Sequence, residues 1–423
     1  MTPRIPDADA YFAEVFDKYS EHVNPYLAGF LAFAGFGVEV YGEGCYIEDH
    51  AGRRYLDCLG GYGTFALGHR HPTVVAAVKE QLDWLGMSGK AFFSKPAADL
   101  AAELTKIAPA GLQYTFFSNS GTEAVEAALK FAKVATGRSR IISTIGGYHG
   151  KTLGALAVTG REKYRTRVEP LMPGVEFVPF GDTAAAVAAI DDRTAAFIVE
   201  PIQGEGGIHV PPDGYLRAIR EACDRTGALM IADEVQTCIG RTGAMFACDH
   251  EGVAPDIMTL AKQLGGGVMP IGATMGTAAV WERVFSENAL MHTSTFGGNP
   301  LACTAGLAAV RVVQDEDLVA RSRDRGALML GLLREMQAEH RDLVADVRGK
   351  GLMIGVEFTT DEVGELMIAQ MLKYGLVAAY TLNNPRVIRL EPPLIISEDE
   401  VRKAVEIMDR AVTDISELLA GQL

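Results

Sequence analysis

The sequence predicts an α/β protein with a mostly parallel β-sheet covered by helices, followed by a smaller α+β region at the C-terminal end. From about residue 71, segments with helical spacing alternate with short apolar runs of strand length. Polar or charged residues stand directly after several of these runs, where open α/β sheets bind their ligands. After about residue 305, a long helical stretch to Gln337 precedes further strand and helix segments and a helical C-terminus at residues 400–419.

The N-terminal part precedes this alternating pattern. Residues 11–30 have helical spacing, because apolar side chains recur every three or four positions. Residues 38–59 predict short strands around a turn at residues 49–52, where glycine and aspartate favour tight backbone bends.

The alternating region supplies the elements of the parallel sheet. Residues 122–135 predict a helix that ends at Gly137, and the spacing of Leu216, Ile219 and Cys223 predicts another that ends at Gly227. Four short apolar runs predict strands at residues 140–143, 196–199, 228–232 and 257–260. Strands that alternate with helices favour a parallel sheet.

Composition excludes several classes of function. The formal net charge of −15 and the lack of a basic block argue against nucleic-acid binding. No apolar stretch approaches the ~20 residues of a membrane span, and no signal peptide is visible, so we expect a cytoplasmic protein. The cysteines lack zinc-site spacing, so we expect no metal and a reducing compartment; they are Cys45, Cys58, Cys223, Cys238, Cys248 and Cys303.

The first pattern that can carry chemistry starts at Ser120. Ser120 and Glu123 form an S-x-x-E capping box at the start of a predicted helix. Gly121 and Thr122 would place free backbone N–H groups at that helix start, which is a favourable site for an anion. Taken alone, an ordinary helix cap is the simpler explanation of these residues.

The second pattern is a carboxylate, Asp233, directly after the apolar run 228–232. A carboxylate in this position can hold a protonated ring nitrogen, such as the pyridinium of a cofactor that acts as an electron sink. Aspartates that end strands also cap helices and loops, so this pattern leaves both explanations open.

The third pattern is Lys262, which ends the apolar run 257–261 and is soon followed by Gly265, Gly266 and Gly267. A solvated loop lysine normally has polar neighbours. Burial beside a positively charged ring would lower the pKa of the amine and make it a nucleophile and a base. The three glycines would let a cofactor ring approach the backbone. This pattern favours a lysine that carries a cofactor.

Together these motifs resemble those of the class III aminotransferases, which are pyridoxal-phosphate enzymes of fold type I. The matching motifs are Ser120-Gly121-Thr122, Glu200-Pro201-Ile202-Gln203-Gly204-Glu205-Gly206-Gly207, Asp233-Glu234-Val235-Gln236, Lys262 and Gly297-Gly298-Asn299-Pro300-Leu301. The resemblance extends from about Val38 to the C-terminal helix. Within the family, the pattern is most similar to putrescine (diamine) aminotransferases at Cys58-Leu59-Gly60-Gly61-Tyr62-Gly63, Met269-Pro270-Ile271-Gly272-Ala273-Thr274, Thr381-Leu382-Asn383-Asn384 and Ile388-Arg389-Leu390-Glu391-Pro392-Pro393-Leu394.

The resemblance implies pyridoxal 5′-phosphate as the cofactor and assigns its main contacts. Lys262 would carry it as a Schiff base and then move the proton between the substrate carbon and the cofactor. Asp233 would hold the ring nitrogen. Ser120, Gly121 and Thr122 would form the phosphate site, with Gly121 and Thr122 supplying backbone N–H groups and a hydroxyl.

The resemblance also implies contacts around the ring and between subunits. Tyr148 would stack on one ring face and Val235 would pack on the other. Gln236 would reach the ring hydroxyl. Thr295 would reach the phosphate in the neighbouring subunit, so the active unit would be a homodimer.

A glutamate and an arginine are the expected substrate-binding residues. Arg389 suits a substrate carboxylate, because a guanidinium binds a carboxylate through two hydrogen bonds. In related enzymes, the glutamate at the position of Glu205 pairs with this arginine when the other substrate lacks that carboxylate. A plain surface ion pair is the alternative.

The resemblance implies three segments: residues 1–70 packing with the small domain, a large cofactor-binding domain at 71–305, and a small α+β domain at 306–423.

The expected reaction is ping-pong transamination through pyridoxamine phosphate, from a diamine, another ω-amino compound or an amino acid to a 2-oxo acid or aldehyde. Amination of an apolar aldehyde intermediate by an amino-acid donor is an alternative. Phe92 and Phe93 belong either to the core or to the pocket, where they would favour a longer apolar amine or aldehyde over a dication. Racemase, aminomutase or decarboxylase activity on the same scaffold is another. A non-catalytic ligand-binding role is disfavoured, because Lys262, Asp233 and Arg389 are all present.

Overall fold

The computed structural model describes residues 5–420, whose strands form three sheets. The strands are β1 (Glu39–Glu43), β2 (Tyr46–Asp49), β3 (Arg54–Asp57), β4 (Leu112–Ser118), β5 (Arg140–Thr144), β6 (Val175–Val178), β7 (Thr194–Val199), β8 (Leu229–Asp233), β9 (Ile257–Leu260), β10 (Gly272–Thr277), β11 (Val344–Lys350), β12 (Met353–Phe358), β13 (Leu376–Val377), β14 (Ala379–Thr381) and β15 (Asn384–Leu390). The helices are α1 (Ala8–His22), α2 (Pro25–Phe33), α3 (Gly60–Gly63), α4 (Pro72–Trp84), α5 (Lys95–Ile107), α6 (Gly121–Thr136), α7 (Leu153–Ala157), α8 (Glu162–Arg165), α9 (Thr183–Ala189), α10 (Tyr215–Thr226), α11 (Ala278–Phe285), α12 (Pro300–Asp315), α13 (Leu318–Glu339), α14 (Asp361–Lys373) and α15 (Glu398–Ala420). Short 3₁₀ helices span Thr166–Val168, Ala247–Glu251 and Lys262–Gly265.

The central sheet has seven strands in the order β4-β10-β9-β8-β7-β5-β6. All neighbours from β9 to β6 are parallel, whereas β10 is antiparallel to both β9 and β4. Strand β4 therefore runs in the same direction as the five parallel strands, and the carboxyl ends of all six lie at one edge of the sheet. Every residue of β7 is buried, as expected for a parallel sheet covered on both faces. The predicted mostly parallel sheet is confirmed.

Helices cover this sheet with their apolar sides. Helix α6 packs against β9 and β10, and α10 packs against β7 and β8. Helix α6 ends at Gly137, whose φ of 68° is left-handed, and α10 ends at Gly227 with a φ of 69°. Both stops agree with the sequence prediction, because glycine adopts this conformation without a steric penalty.

The two smaller sheets contain the N-terminal and C-terminal strands. Strand β3 pairs in parallel with β13, which joins the N-terminal hairpin to the C-terminal part of the chain. The order β11-β12-β15-β14 is an antiparallel sheet, against which α13 and α14 pack. The smaller α+β region is therefore confirmed. We retain the division at residues 1–70, 71–305 and 306–423 as a proposal, which the pairing of β3 with β13 supports.

Two helical stretches are broken where the sequence predicted continuity. The stretch at residues 11–30 is divided between α1 and α2, because Asn24 caps the second helix through its side chain and Pro25 starts it. The stretch to Gln337 is divided between α12 and α13, because Asp317 adopts a left-handed conformation with a φ of 49°.

All six cysteines are buried and free. Among residues 5–420, no helix is long and apolar enough to cross a membrane.

Helix α13 packs unusually close to the loop between β11 and β12. A Cβ atom on Gly326 would lie 2.1 Å from the Gly351 carbonyl oxygen, whereas a Cβ atom on Gly331 in the same helix would meet nothing within 4 Å. We expect Gly326→Ala to lower the free energy of unfolding by about 1–3 kcal/mol, because rigid backbone must move. Gly331→Ala should raise it by about 0.5–1 kcal/mol through helix propensity. Urea unfolding of both variants tests this, and equal effects would contradict the packing.

Candidate active site

The main candidate site is a cavity of about 730 Å³ at the carboxyl edge of the central sheet. Its size and mixed polar and apolar lining suit a small-molecule or cofactor site. Eight of the predicted cofactor-binding residues line it: Ser120, Gly121, Thr122, Tyr148, Asp233, Val235, Gln236 and Lys262. Thr295 is exposed and is not among the lining residues.

Asp233, the last residue of β8, is almost fully buried at this cavity. Its Oδ1 accepts hydrogen bonds from the Thr259 hydroxyl at 2.8 Å and from the Val235 backbone N–H at 3.2 Å. Its Oδ2 lies 2.6 Å from Nδ1 of His149. Contacts from three directions fix the carboxylate, so it can meet a positively charged ring nitrogen without first reorganising.

The His149 ring supports this carboxylate from a fully buried position. Burial alone lowers the pKa of the imidazole, but the hydrogen bond and the charge of Asp233 outweigh burial and raise that pKa. His149 is adjacent to Tyr148 in the chain, but its partner Asp233 lies 84 residues away, so local sequence does not reveal this contact.

Glu200 is a buried carboxyl group that the sequence matched to a motif without assigning a contact. It accepts hydrogen bonds from the backbone N–H groups of Tyr148 at 2.8 Å and Gly204 at 3.0 Å. Burial raises its pKa to about 7, although the nearby His149 charge acts in the opposite direction. Glu200 thereby holds the loop that presents Tyr148 to the cavity.

Lys262 follows β9 and points its amine into a short chain of polar groups. The Lys262 Nζ donates to Oε1 of Gln236 at 2.8 Å, and Nε2 of Gln236 lies 2.9 Å from each carboxylate oxygen of Glu391. Burial lowers the pKa of the amine, and the negative charge of Glu391 opposes that shift. The backbone of Lys262 has a φ of 44°, a conformation that non-glycine residues adopt mainly where surrounding structure enforces it.

The N-terminus of α6 forms only half of the predicted capping box. The Ser120 hydroxyl accepts from the Glu123 backbone N–H at 3.3 Å, as predicted. The Glu123 carboxylate, however, accepts from the Asn119 backbone N–H at 2.5 Å instead of from Ser120. The box is therefore displaced by one residue, and the Asn119 side chain also donates to the Glu123 carboxylate at 3.0 Å.

Two glycines keep this helix terminus open to a ligand. A Cβ atom on Gly121 would lie 2.7 Å from a methyl group of Val235. Gly150 has a φ of 127°, and its Cβ atom would lie 2.2 Å from the Thr122 hydroxyl. That hydroxyl lies 2.8 Å from the hydroxyl of Thr152. The N–H groups of the first helical turn and these hydroxyls form a suitable site for a phosphate.

Glu205 and Arg389 form a buried ion pair, which excludes the surface alternative. Arg389 Nη1 lies 2.7 Å from Glu205 Oε1, and its Nη2 binds Glu205 Oε2. The Arg389 side chain is 0% exposed and the Glu205 side chain is 5% exposed. The Leu382 backbone N–H also donates to Glu205 Oε2, at 2.8 Å. The ring of Tyr62 lies 5.2 Å from the guanidinium carbon. The pair has the fork geometry in which arginine binds a substrate carboxylate.

Phe92 and Phe93 occupy neither of the expected places. They are 89% and 109% exposed, and neither lines the main cavity. The interpretation that they belong to the core is therefore wrong, and within one chain they do not shape the cavity.

The residues of the cavity fit pyridoxal phosphate. The fixed carboxylate of Asp233 suits its ring nitrogen, and the terminus of α6 suits its phosphate. The amine of Lys262 lies in the same cavity as both. The planar ring requires space between Tyr148 and Val235, and both of these side chains line the cavity.

The raised pKa of Glu200 gives a prediction about stability and pH. The folded protein binds the proton of the Glu200 carboxyl group more tightly than the unfolded chain does. The stability that Glu200 contributes is therefore present below pH 4.5 and is lost as pH rises towards about 7. Over that pH interval the free energy of unfolding falls by about 3 kcal/mol. We therefore expect Glu200→Gln, which cannot ionise, to gain stability relative to the wild type as pH rises. Urea unfolding of the cofactor-free proteins across this range measures the difference, and a constant difference would contradict burial of an ionisable Glu200.

Comparison with known proteins agrees with this arrangement. The sequence model of the family described as aminotransferase class III matches residues 38–412. The chain is 31% identical to the ornithine aminotransferase of Toxoplasma gondii, with a TM-score of 0.86, covering 98% of this chain and 99% of that one. It is 30% identical to an aminotransferase of Bacillus anthracis, with a TM-score of 0.90 and coverages of 96% and 99%. An engineered thermostable omega transaminase is 27% identical, with a TM-score of 0.86 and coverages of 95% and 99%.

The Toxoplasma structure is described as having partial occupancy of pyridoxal phosphate at its active site. The family match covers both the central sheet and the C-terminal antiparallel sheet. The chain therefore belongs to the class III aminotransferases, pyridoxal-phosphate enzymes that transfer an amino group between small molecules.

Proposed function

We propose that this enzyme takes an amino group from a diamine, another ω-amino compound or an amino acid and delivers it to a 2-oxo acid at the same site. The observation that supports this proposal is the buried, bidentate pair of Glu205 and Arg389. Breaking a buried ion pair is strongly unfavourable, so we expect Arg389 to exchange Glu205 for another anion when the pair opens. The carboxylate of a 2-oxo acid is such an anion.

The closed pair also explains how a donor without a carboxylate is accepted. With Glu205 bound to it, Arg389 presents no free positive charge to an amine. Similarity to an ornithine aminotransferase and to an omega transaminase supports a donor with a terminal amino group. The putrescine-type motifs around Tyr62 and Arg389 favour a diamine among such donors.

The proposed residue roles follow from the geometry. Pyridoxal phosphate, when bound, supplies an aldehyde that links to amines and an electron sink that stabilises a carbanion. Asp233, held by Thr259 and His149, would keep the ring nitrogen protonated. Lys262 would carry the cofactor and then move a proton to and from the substrate carbon, which its lowered amine pKa favours.

The remaining cofactor contacts complete the proposed site. Tyr148 and Val235 would enclose the ring from its two faces. Ser120, Gly121 and Thr122 would hold the phosphate at the start of α6. Gln236 would contact the ring oxygen, from a position that Lys262 and Glu391 already fix.

We also propose that the active unit is a homodimer in which Thr295 reaches the phosphate of the neighbouring subunit. Thr295 is exposed, and it lies on a segment rich in exposed apolar side chains. The amine of Lys90 binds the Ser294 carbonyl, which joins this segment to the exposed region around Phe92 and Phe93. The exposed apolar residues on the two segments and beside them are Leu82, Trp84, Leu85, Met87, Phe92, Phe93, Leu290, Met291 and Phe296. Apolar exposure on this scale supports the proposed interface.

Phe92 and Phe93 would favour the apolar-aldehyde alternative if they lined the pocket. Because both lie outside the cavity within one chain, that alternative gains no support from the site geometry. Racemase, aminomutase and decarboxylase activities do not need two different substrates to share one site. The pair of Glu205 and Arg389 therefore favours two-substrate transamination over them.

The proposed switch predicts opposite effects of two substitutions. Arg389→Ala should raise the KM for a 2-oxo acid by about tenfold to more than a hundredfold, because a charge-assisted contact of ~1.5–3 kcal/mol is lost. It should change the half-reaction with a diamine much less. Glu205→Ala should instead weaken the diamine half-reaction, because an unpaired Arg389 would face the donor.

Stopped-flow absorbance of the cofactor measures each half-reaction separately. Equal loss of both half-reactions in Arg389→Ala would show that Arg389 is only structural and would overturn the switch. Unchanged kinetics in both variants would show that the substrate lies elsewhere.

A further inference from the structure

A second carboxylate near Arg389, that of Glu391, also lies close to Gln236 of the main cavity. It follows β15 and is fully buried. Its backbone N–H donates to the Cys58 carbonyl at 2.7 Å. The next residue, Pro392, accepts a 2.5 Å hydrogen bond from the Arg241 guanidinium. The backbone that carries this carboxylate is therefore fixed on both sides.

The carboxylate of Glu391 contacts Gln236, which lines the main cavity, and also lies near Arg389. Both of its oxygens lie 2.9 Å from Nε2 of Gln236, which in turn binds Lys262 through Oε1 at 2.8 Å. Its Oε2 lies 3.8 Å from Nη1 of Arg389. Glu391 is thus the second carboxylate within ion-pair distance of Arg389, after Glu205.

The charge of this one carboxylate influences three cationic side chains, those of Arg389, Arg241 and Lys262. Arg241 is fully buried, and within residues 5–420 no carboxylate lies within ion-pair distance of it. Burial lowers its pKa, and the charge of Glu391 is the largest influence that opposes burial. The charge of Glu391 also favours the protonated forms of Lys262 and Arg389. A neutral side chain at this position would leave these groups with less compensation.

The Glu391 carboxylate also decides the orientation of the Gln236 amide. Carboxylate oxygens only accept hydrogen bonds, so Gln236 must turn its NH₂ group towards Glu391. Its carbonyl oxygen is then left to face Lys262. With a neutral amide in place of Glu391, both orientations of Gln236 would be possible.

We propose that Glu391 is a positioning residue that turns the Gln236 carbonyl towards Lys262 and keeps Arg389 in place when Glu205 withdraws. The first part depends only on the observed contacts. The second part rests on the proposed exchange of Glu205 for a substrate carboxylate. During that exchange Glu391 remains as the fixed counter-ion of Arg389.

The first test is a pH titration of cofactor absorbance in the holoenzyme, which follows protonation of the Lys262 nitrogen bonded to the cofactor. The charged groups that face this nitrogen are Glu391, Glu205, Arg389 and Glu200. Removing one negative charge disfavours the protonated form, so Glu391→Gln should move the titration midpoint to lower pH by about one unit. Glu391→Asp keeps the negative charge, so its titration midpoint should lie close to that of the wild type.

A matched control separates this effect from a general disturbance of the C-terminal sheet. Glu357→Gln removes a carboxylate on β12 that binds Arg348 at 2.6 Å, outside the cavity, and it should leave the midpoint unchanged.

If Glu391→Gln fails to fold, Gln236→Leu takes its place. That variant removes the hydrogen bond from Lys262 and should shift the midpoint in the same direction. An unchanged midpoint in the folded variant would overturn the proposal.

The second test is the KM for a 2-oxo acid. Glu391→Gln should raise it by about tenfold, while changing the half-reaction with a diamine less. A midpoint shift without this rise would overturn the role of Glu391 towards Arg389. If Arg389→Ala itself shows no switch, the proposed function fails, and the titration still decides the role of Glu391 towards Gln236 and Lys262.

Discussion

The structure depends on one constraint: each charged group buried at the carboxyl edge of the central sheet needs an opposite charge or hydrogen bonds close to it. Asp233 is matched by His149, and Glu205 is matched by Arg389. Lys262 is linked to a carboxylate only through an intervening amide. A buried charge without a partner is strongly unfavourable, so these pairings limit how the surrounding loops can fold.

Parallel strands explain why these groups meet. The carboxyl ends of β4, β8 and β9 lie at one edge, so Ser120, Asp233 and Lys262 are brought to one cavity although they are far apart in the chain. The antiparallel β10 places Gly272 at the same edge, where a Cβ atom would lie 2.2 Å from the Ser120 carbonyl oxygen. The rigid sheet holds the site in a geometry that needs little rearrangement when the cofactor binds.

Sequence alone predicted the features that depend on neighbouring residues. Asp233 and Lys262 each follow an apolar strand, and Gly137 ends a helix, so local pattern was sufficient for them. The partners of these residues were not predictable in this way. Glu391 meets Gln236 across 155 residues, and Glu200 meets Tyr148 across 52, so these contacts exist only after the chain has folded.

Other differences have equally specific causes. The break between α12 and α13 depends on the left-handed backbone of Asp317, a residue type for which that conformation is uncommon but accessible. The exposure of Phe92 and Phe93 could not be inferred from their apolar character, because the same residue type is usual in a core and in an interface between subunits.

The most direct test of this account is to identify the lysine that carries the cofactor. Borohydride reduction of the holoenzyme, followed by peptide mass spectrometry, should place the cofactor mass on Lys262. Lys151 is a demanding internal comparison, because it also lines the cavity. We predict modification of Lys262 alone, and none in Lys262→Ala. Modification of Lys151 or another lysine in the wild-type enzyme would contradict the convergence of the site on Lys262.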